Sequence, residues 1–396
     1  MLSSKYDFII VGAGVVGLNI ARELLLRNKS SKILIIDKEK KIASHSSGRN
    51  SGVLHAGFYY TADSLKAQFT RNGCEYLTDY CLTMGLSINR CGKLVVTKDE
   101  SELPSLNELF KRAKNNGVEL IEMDEFEAQK IEPRVKTFKK AAWSPKTATV
   151  DPVEVMNSFM NELIKSGVEF LFEAEYWSCQ NNLLKTSKGQ VEFGYLINSA
   201  GLYADQIAKD HGLSQKYTIL PFKGLYLYCT NDSKKFNTHI YPVPNLKNPF
   251  LGVHHTLTVD GHTKVGPTAI PAFWREQYNG FDNFDLSEAI DIITQEIGLF
   301  FKGGFDFRSL ALEEVKKYSR KYLIGESQKM ATDVDFTDYT KWGKPGIRAQ
   351  LLNTETKKLE MDFIVEQNSY SIHVLNAVSP AFTASKPFAE YIVSKI

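Results

Sequence analysis

The stretch Tyr6–Gly17, YDFIIVGAGVVG, decides the fold of this 396-residue chain. Its first half, Tyr6–Val11, is a short apolar run of the kind that forms a buried parallel strand. Its second half is a G-x-G-x-x-G motif made by Gly12, Gly14 and Gly17. In this motif the first glycine permits a tight turn, the second lets the backbone approach a pyrophosphate, and the third lets a helix pack closely on the strand. The stretch therefore predicts a dinucleotide-binding βαβ unit.

The residues after the motif fit the same unit. Val15–Arg27 has helical apolar spacing, and Ile33–Ile36 predicts the second strand. Asp37 ends that strand 20 residues after Gly17, where a carboxylate can accept a hydrogen bond from a ribose hydroxyl. The small and polar residues of 44–52 suit a loop that wraps a larger cofactor. Because the sequence has no second G-x-G-x-x-G for a nicotinamide, these features favour FAD over NAD.

Composition and charge exclude several classes of protein. The chain is 43% hydrophobic and 24% charged, as in ordinary globular proteins. Its 48 Lys and Arg residues nearly balance 46 Asp and Glu residues, which argues against a nucleic-acid-binding protein. Five cysteines without a C-x-x-C pair argue against a disulfide framework and a zinc site. We therefore expect a cytoplasmic protein without a metal, and without a membrane span because no run of 18 apolar residues occurs.

Nucleotide-type patterns recur at the N-terminus, near 150–212 and at the C-terminus, whereas 217–267 is rich in aromatic and β-branched residues. We therefore predict an α/β fold, α+β overall. In it, a Rossmann-type FAD-binding domain is interleaved with a substrate domain built on a mixed or antiparallel sheet. The predicted FAD-binding domain comprises 1–88, 147–214 and 345–396, and the predicted substrate domain comprises 89–146 and 215–344.

Nine segments, in order along the chain, carry a family pattern. They are SGRNSGVLHAGFYY (47–60), SLKAQF (64–69), SP…VDP (144–152), NSAGLYAD (198–205), PFKGLY (221–226), LGVHHT (251–256), GPTAIPAFWREQY (266–278), GIRAQ (346–350) and HVLNAVSPAFTAS (373–385). In these segments the chain resembles the L-2-hydroxyglutarate dehydrogenase/oxidase family, within the D-amino-acid-oxidase-like group of FAD enzymes. The chain departs from the family pattern at Arg49, at 223–225, at His255, where the family tends to have Phe, and at Val378 and Phe382.

The resemblance implies an FAD-dependent enzyme that oxidises a 2-hydroxy acid at its CH–OH group, most simply L-2-hydroxyglutarate to 2-oxoglutarate. In this chemistry a hydride passes from the substrate to flavin N5 while a base takes the hydroxyl proton. The electrons then pass to a quinone or to oxygen. Two other functions stay open at this point: an amine or amino-acid oxidase of the same fold, and a flavoprotein sensor without turnover.

Four residues are candidates for the chemistry and for substrate binding. His55, in GVLHAG, either accepts the proton or faces the flavin. His254, in LGVHHT, is a candidate base. Side chains alternate along a strand, so only one of His254 and His255 can face the site, and the family resemblance favours His254. Arg275 and Arg348 are candidate anchors for the substrate carboxylates, which arginine binds in a bidentate manner. Which histidine is the base stays open.

The predicted FAD-binding residues come from the glycine motif, the wrapping loop and the starts of two later helices. They are Gly12, Gly14, Val16, Gly17, Asp37, Lys38, Ser47, Arg49, Asn50, Ser51, Gly52, Ala200, Gly201, Ser379, Pro380 and Ala381. The last three precede the closing helix, whose N-terminus can stabilise negative charge on the reduced flavin. Tyr59, Tyr60 and Lys223 are weaker candidates, with ordinary packing or solvent exposure as the alternative.

The helical stretch 286–307 is a candidate membrane contact. Its aromatic and basic residues, with Arg308, are Phe300, Phe301, Lys302, Phe305 and Phe307, around Gly303 and Gly304. Aromatic side chains beside cations suit the interface of a bilayer with anionic headgroups. Either these side chains pack onto a following helix at 310–322, or they dock the protein peripherally on a membrane, where a quinone takes the electrons.

Overall fold

The computed structural model describes residues 5–245, 250–302 and 307–396. The chain divides into two units. Unit 1 comprises Met1–Asn50, Pro152–Pro221 and Arg348–Ile396, and unit 2 comprises Ser51–Asp151 and Phe222–Ile347. This division differs from the predicted boundaries mainly at residues 51–88, which we predicted to belong with the FAD-binding domain and which lie in unit 2.

The helices are placed by local signals in the sequence. In chain order, the α-helices of the described residues are α1 (Val15–Arg27), α2 (Leu65–Met84), α3 (Leu103–Asn116), α4 (Glu125–Ile131), α5 (Pro152–Lys165), α6 (Ala204–Asp210), α7 (Leu286–Lys302), α8 (Phe307–Lys316), α9 (Arg320–Ser327) and α10 (Ala381–Val393). Ser64 begins α2, since its hydroxyl accepts from the Ala67 N–H at 3.1 Å. Asp124 and Glu127 form a capping box that begins α4. Short 3-10 helices cover Glu100–Glu102, Gly201–Tyr203, Asp232–Lys234 and Phe336–Asp338.

The strands are short and numerous. In chain order they are β1 (Lys5–Val11), β2 (Ile33–Ile36), β3 (Val53–Leu54), β4 (Ile88–Asn89), β5 (Lys93–Val96), β6 (Ile121–Met123), β7 (Ala141–Ser144), β8 (Ala148–Val150), β9 (Glu169–Leu171), β10 (Tyr176–Gln180), β11 (Leu183–Thr186), β12 (Gly189–Asn198), β13 (Tyr217–Gly224), β14 (Leu227–Cys229), β15 (His239–Pro242), β16 (His254–Leu257), β17 (Thr263–Gly266), β18 (Ile270–Pro271), β19 (Tyr339–Trp342), β20 (Gly346–Asn353), β21 (Lys358–Leu359), β22 (Ile364–Gln367) and β23 (Ser371–Asn376).

Unit 1 is built on a sheet with a parallel centre. Its main path runs β10-β11-β12-β1-β2-β9, and β23 pairs with β12 and β22. β1 is parallel to β2 and to β12, with Phe8 opposite Ile33. Strands buried on both faces are continuously apolar rather than alternating, as Ile33–Ile36 is. Helices α1, α5 and α10 pack together beside this sheet, which gives the Rossmann-type arrangement that the glycine motif predicts.

Unit 2 is built on a mostly antiparallel sheet with the order β19-β14-β17-β16-β15-β5-β7-β6. Only β15 and β5 are parallel among the pairs of this sheet that the described residues form. Side chains alternate between its two faces. One face packs Leu94, Val96 and Ile240 in an apolar core. The other face carries Lys93 and His239 beside Val95 and Tyr241, which belong to a second apolar core. The predicted fold class is confirmed. Every helix in the described part of the chain is too short or too polar to cross a bilayer.

Candidate functional site

The glycine motif in unit 1 forms the tight turn that a dinucleotide requires. Gly12 has a φ of +104°, and a Cβ there would lie 2.5 Å from the Ser199 carbonyl oxygen. A Cβ on Gly17 would lie 2.2 Å from the Gly12 carbonyl oxygen, so only glycine lets α1 approach β1. The first N–H groups of α1, at Val15, Val16 and Gly17, have no acceptor within the helix. Such a helix end binds phosphate, and the turn therefore fits the pyrophosphate of a dinucleotide.

Asp37 holds this turn as well as facing the predicted ribose position. Its Oδ2 accepts from the Ala13 N–H at 2.8 Å, and its Oδ1 accepts from the Glu39 N–H at 2.9 Å. Burial raises the pKa of Asp37, although these two hydrogen bonds favour the ionised form. Each carboxylate oxygen has a further lone pair, so Asp37 can accept from a ribose hydroxyl while it holds the turn. The sequence predicted only the second of these two roles.

The loop at 44–50 is held by its own side chains. The Ser47 hydroxyl accepts from the Val15 N–H at 3.0 Å, which joins the loop to the start of α1. The Arg49 Nε donates to the Ser44 carbonyl at 2.6 Å. The Asn50 amide donates to the carbonyls of residues 46 and 47 at 3.1 and 2.9 Å. The loop thus has a defined shape around the helix end.

Lys38, which precedes this loop, has an aromatic partner, since its ammonium lies 4.7 Å from the centre of the Tyr203 ring.

The remaining predicted FAD-binding residues are divided between the units. Ala200 and Gly201 follow β12 in unit 1, and the Ala200 N–H donates to Asn198 Oδ1 at 3.1 Å. Residues 379–381 lie at the start of α10, which begins at Ala381 with Pro380 just before it. Ser51 and Gly52 lie in unit 2, where the Ser51 carbonyl accepts from Lys264 Nζ at 3.2 Å and the Gly52 carbonyl accepts from the Val150 N–H at 2.9 Å.

One face of the unit 2 sheet carries a group of buried polar side chains, which we call the polar face: Lys93 on β5, His239 and Tyr241 on β15, and His254 on β16. Lys93 pairs with His239 in the register of β5 and β15, so the two side chains share a face. The His254 ring stacks on the Tyr241 ring with a centroid separation of 3.7 Å. The register of three strands therefore brings together residues from three distant parts of the chain.

His254 has one ring nitrogen that can accept a proton. Its Nδ1 lies 2.8 Å from the Gly252 carbonyl oxygen, and a carbonyl can only accept, so Nδ1 carries the hydrogen. In the neutral ring, Nε2 then has the lone pair. Burial, with the nearby Lys93 and His55, lowers the pKa of His254 well below its usual value. The neutral form, which is the form a general base needs, therefore prevails at neutral pH.

His239 lies on the same face but has no nitrogen to spare. Its Nδ1 accepts from the Leu257 N–H at 3.0 Å, so the hydrogen of the neutral ring is on Nε2. That nitrogen lies 2.9 Å from the Thr149 hydroxyl oxygen and 3.4 Å from the Cys91 sulfur. Burial lowers the pKa of His239 well below its usual value. Because both ring nitrogens are engaged within the protein, His239 is a structural member of the polar face.

His255 points to the opposite face of the sheet. It is buried against the Phe236 ring at 4.6 Å, and its Nε2 donates to the Ser327 carbonyl at 3.1 Å. Burial lowers the pKa of His255 to about 4. The alternation along β16 thus separates His254 from His255 as the sequence predicts, while the catalytic role of His254 stays a prediction.

Residues 7–366 match the model of a family described as FAD dependent oxidoreductase. This chain belongs to that family. It is 34% identical over 421 residues to the L-2-hydroxyglutarate dehydrogenase, mitochondrial, of Bos taurus, an alignment that covers 100% of this chain and 89% of the relative. It is 32% identical over 397 residues to the L-2-hydroxyglutarate dehydrogenase of Escherichia coli (strain K12), which covers 99% of this chain and 93% of the relative.

Solved structures share the fold of this FAD dependent oxidoreductase. The L-alpha-glycerophosphate oxidase of Mycoplasma pneumoniae, dithionite reduced and with FAD bound, has a TM-score of 0.77 at 20% identity and covers 99% of this chain and 94% of its own. The glycine oxidase of Geobacillus kaustophilus has a TM-score of 0.73 at 15% identity, with 99% and 94% covered. At these identities the likeness concerns the fold. The predicted cofactor, FAD, and the predicted enzyme class, an oxidoreductase, are confirmed.

The structure gives Arg275 a partner within the oxidoreductase itself. Its side chain is only 2% exposed, and its Nε lies 3.8 Å from a carboxylate oxygen of Glu288. The Arg275 N–H also donates to the other Glu288 oxygen at 3.1 Å. Its acidic partner Glu288 belongs to the first turn of α7. These contacts favour a structural role for Arg275 over the predicted role of carboxylate anchor.

The other candidates lie at positions of differing burial. Arg348 on β20 and His55 are partly buried, and burial together with the Lys93 charge lowers the pKa of His55 to about 3. Tyr59 is buried, Tyr60 is partly buried, and Lys223 is buried on β13, where burial lowers its pKa. The site residues that sequence reasoning missed are Lys93, His239 and Tyr241, because no local motif marks them and only strand register joins them.

Proposed function

We propose that this chain oxidises L-2-hydroxyglutarate to 2-oxoglutarate with FAD as the hydride acceptor. Relatives with this name in Bos taurus and Escherichia coli are 32–34% identical over almost the whole chain, which supports the substrate. The observation that carries the proposal is His254, a buried neutral histidine whose Nδ1 is committed to the Gly252 carbonyl at 2.8 Å. Its Nε2 is left to accept the proton of a substrate hydroxyl.

FAD, when bound, supplies the acceptor for the hydride that leaves the substrate carbon. The protein has to remove the hydroxyl proton and bind two carboxylates. His254 is the proposed base, since the stacked Tyr241 ring and the Gly252 carbonyl hold its ring in one orientation. A positioned base of this kind contributes a factor of about 10²–10⁴ to the rate. His55 stays a candidate for flavin contact, and Arg348 stays the proposed carboxylate anchor.

The proposed function is tested with a panel of substrates. Purified FAD-loaded protein is assayed with L-2-hydroxyglutarate, D-2-hydroxyglutarate, glycine and L-glutamate, with an artificial dye as the electron acceptor. We expect turnover with L-2-hydroxyglutarate and formation of 2-oxoglutarate. Turnover with glycine or L-glutamate instead would assign the chain to the amine and amino-acid oxidases, and no turnover with any substrate would favour a sensor.

A stripe of exposed apolar residues on α7 supports peripheral membrane contact, with a quinone as the electron acceptor. The stripe consists of Leu286, Ile290, Ile293, Ile297 and Phe301, whose exposed fractions run from 37% to 77%. Its members are three or four residues apart and so share one side of the helix. Ala289, Ile292 and Leu299 are buried on the other side. A soluble monomer rarely exposes so continuous an apolar surface, which marks a contact site.

This stripe changes the residues that we expect to meet a membrane. Phe301 belongs to it, whereas Phe307 is buried, with its ring 6.5 Å from the Phe222 ring; for Phe307 the prediction of membrane contact was wrong. Phe300 is partly buried, and the Arg308 guanidinium lies 5.2 Å from the centre of its ring. Gly303, Gly304 and Phe305 lie outside the described residues, as does the side chain of Lys302.

The membrane contact is tested by co-sedimentation with vesicles. The variant Ile293→Ser/Phe301→Ser is compared with wild type on neutral and anionic vesicles, and Gln295→Ser, on the same helix but outside the stripe, is the matched control. We expect the double variant to lose most of the binding and quinone reduction while it keeps dye reduction. Equal binding of all three proteins would leave oxygen or a soluble carrier as the acceptor.

A further inference from the structure

Lys93 is a buried lysine without an anionic partner among the described residues. Its side chain is fully buried on β5, and its Nζ has no hydrogen-bond partner within the described residues. Three aromatic rings surround it, since Nζ lies 4.8 Å from the Phe58 centre, 4.6 Å from the Tyr59 centre and 4.8 Å from the Tyr241 centre. Aromatic faces attract an ammonium, but they accept none of its hydrogens well. A lysine in this state costs folding free energy.

The titratable groups around Lys93 do not supply the missing charge. The groups that face it are His55 and Tyr59 from the segment after β3, Cys74 from α2, His239 and Tyr241 from β15, and His254 from β16. The three histidines have lowered pKa values and are neutral. Burial raises the pKa of the Cys74 thiol to about 12 and the pKa values of both tyrosines, so these groups are neutral too. Within the described residues, Lys93 therefore has no counter-ion.

Two further observations point to a ligand at this place. The Tyr59 hydroxyl is buried and has no hydrogen-bond partner among the described residues, although its ring touches Lys93. A buried hydroxyl without a partner is costly, and here it stands beside a buried cation without a partner. His55 lies near Lys93, since the Lys93 charge contributes to the lowered pKa of His55. His55 is only partly buried. The cluster formed by Lys93, Tyr59 and His55 therefore reaches the protein surface at His55.

We propose that Lys93 Nζ and the Tyr59 hydroxyl together bind one carboxylate of the substrate. This inference rests on the proposed function, because a dicarboxylate needs a second cation besides the proposed Arg348. A carboxylate accepts from both donors at once and supplies the counter-charge that the three rings do not. His254 lies on the same face, so the carboxylate is held beside the proposed base. The lysine then favours substrates that carry a carboxylate at this position.

Binding of the carboxylate should also change the number of protons bound to the protein. Burial lowers the pKa of Lys93 to about 7, so at pH 8 only about a tenth of the molecules carry the charge before a ligand binds. A bound carboxylate raises the pKa of Lys93, since an opposite charge favours the protonated form. Binding at pH 8 should therefore take up most of a proton. An arginine at this position is charged throughout and takes up none.

Calorimetry with glutarate, a dicarboxylate that lacks the hydroxyl and cannot be oxidised, tests the proposal. Glutarate is titrated into the FAD-loaded protein at pH 8 in two buffers of different ionisation enthalpy, which gives the affinity and the protons taken up. Wild type is compared with Lys93→Met, Lys93→Arg and Tyr59→Phe. Lys98→Met, which removes an exposed lysine just after β5, is the matched control.

We expect Lys93→Met to weaken glutarate binding by about 10- to 150-fold, as the loss of a charge-assisted hydrogen bond predicts. Lys93→Arg should bind glutarate without proton uptake, Tyr59→Phe should bind more weakly, and Lys98→Met should match wild type. Lys93→Met should also raise the melting temperature, because it removes a buried amine that has no hydrogen-bond partner among the described residues; a merely structural lysine would lower it.

Glutarate binding by Lys93→Met with wild-type affinity, or no binding by wild type, would overturn the inference. Because glutarate binding requires no turnover, this result is independent of the proposed reaction. Oxidation of L-2-hydroxyglutarate with an unchanged KM in Lys93→Met would refute the role of Lys93 and leave the proposed function standing. Glutarate binding that depends on Lys93, without oxidation of L-2-hydroxyglutarate, would refute the proposed function and leave the role of Lys93 standing.

Discussion

The neighbouring histidines of β16 allow a sharp test of the proposed base. Substitution His254→Asn keeps an amide N–H that can donate to the Gly252 carbonyl but removes the basic nitrogen. If His254 accepts the hydroxyl proton, kcat should fall by about 10²- to 10⁴-fold, while KM changes little. The fold should survive, because the lost stacking on Tyr241 is worth only about 0.5–1.5 kcal/mol. The assay is dye reduction with L-2-hydroxyglutarate, measured from pH 5 to pH 9.

The control is His255→Phe, which changes the next residue on the other face of the same strand. Its neighbour Phe236 is apolar, so phenylalanine fits the site, and kcat should stay within a factor of about two of wild type. The low pKa of His254 places the loss of wild-type activity on acidification well below pH 6.5, because the neutral ring is the active form. A kcat of His254→Asn within fivefold of wild type, or an equal loss in His255→Phe, would refute the assignment.

Three other outcomes follow from single contacts. Gly12→Ala should purify without yellow colour, because its Cβ would lie 2.5 Å from the Ser199 carbonyl oxygen; normal flavin absorbance would contradict this. Between pH 7.5 and pH 5, the unfolding free energy of His255→Phe should fall by about 2 kcal/mol less than that of wild type. The reason is that unfolded histidine takes up a proton below pH 6.5, whereas folded His255 does so only near a pKa of about 4. Denaturant titration at both pH values measures this difference. Arg348→Ala should raise KM about 10- to 150-fold, and an unchanged KM would remove Arg348 from substrate binding.

The nucleotide-binding half of the fold was predictable because its signals are local. Helix α1 and strand β2 have the bounds that the apolar spacing and the glycine motif predict, Val15–Arg27 and Ile33–Ile36. Strands such as β7, β10 and β11 were missed because, unlike the continuously apolar β2, they mix apolar and polar residues over only four or five positions and are defined by their partners. Short segments of this kind carry too few residues for a periodic pattern.

The site shows the same division between local and distant information. Alternation along one strand separates His254 from His255, so that choice was open to sequence reasoning. Lys93 and His239 meet only through the parallel pairing of β5 with β15, which no motif predicts. Arg275 shows the same limit: its partner Glu288 belongs to the first turn of α7, 13 residues further along the chain, and no local motif predicts that pair.

The central claim is that a 2-hydroxy acid reduces the flavin of this protein, and an anaerobic titration tests it most directly. L-2-hydroxyglutarate is added stepwise to the purified FAD-loaded protein without oxygen while the flavin absorbance is recorded. We expect L-2-hydroxyglutarate to bleach the oxidised flavin, with 2-oxoglutarate formed in equal amount, and we expect no bleaching by glycine or L-glutamate. An oxidised spectrum that stays unchanged with L-2-hydroxyglutarate but bleaches with an amino acid would contradict it.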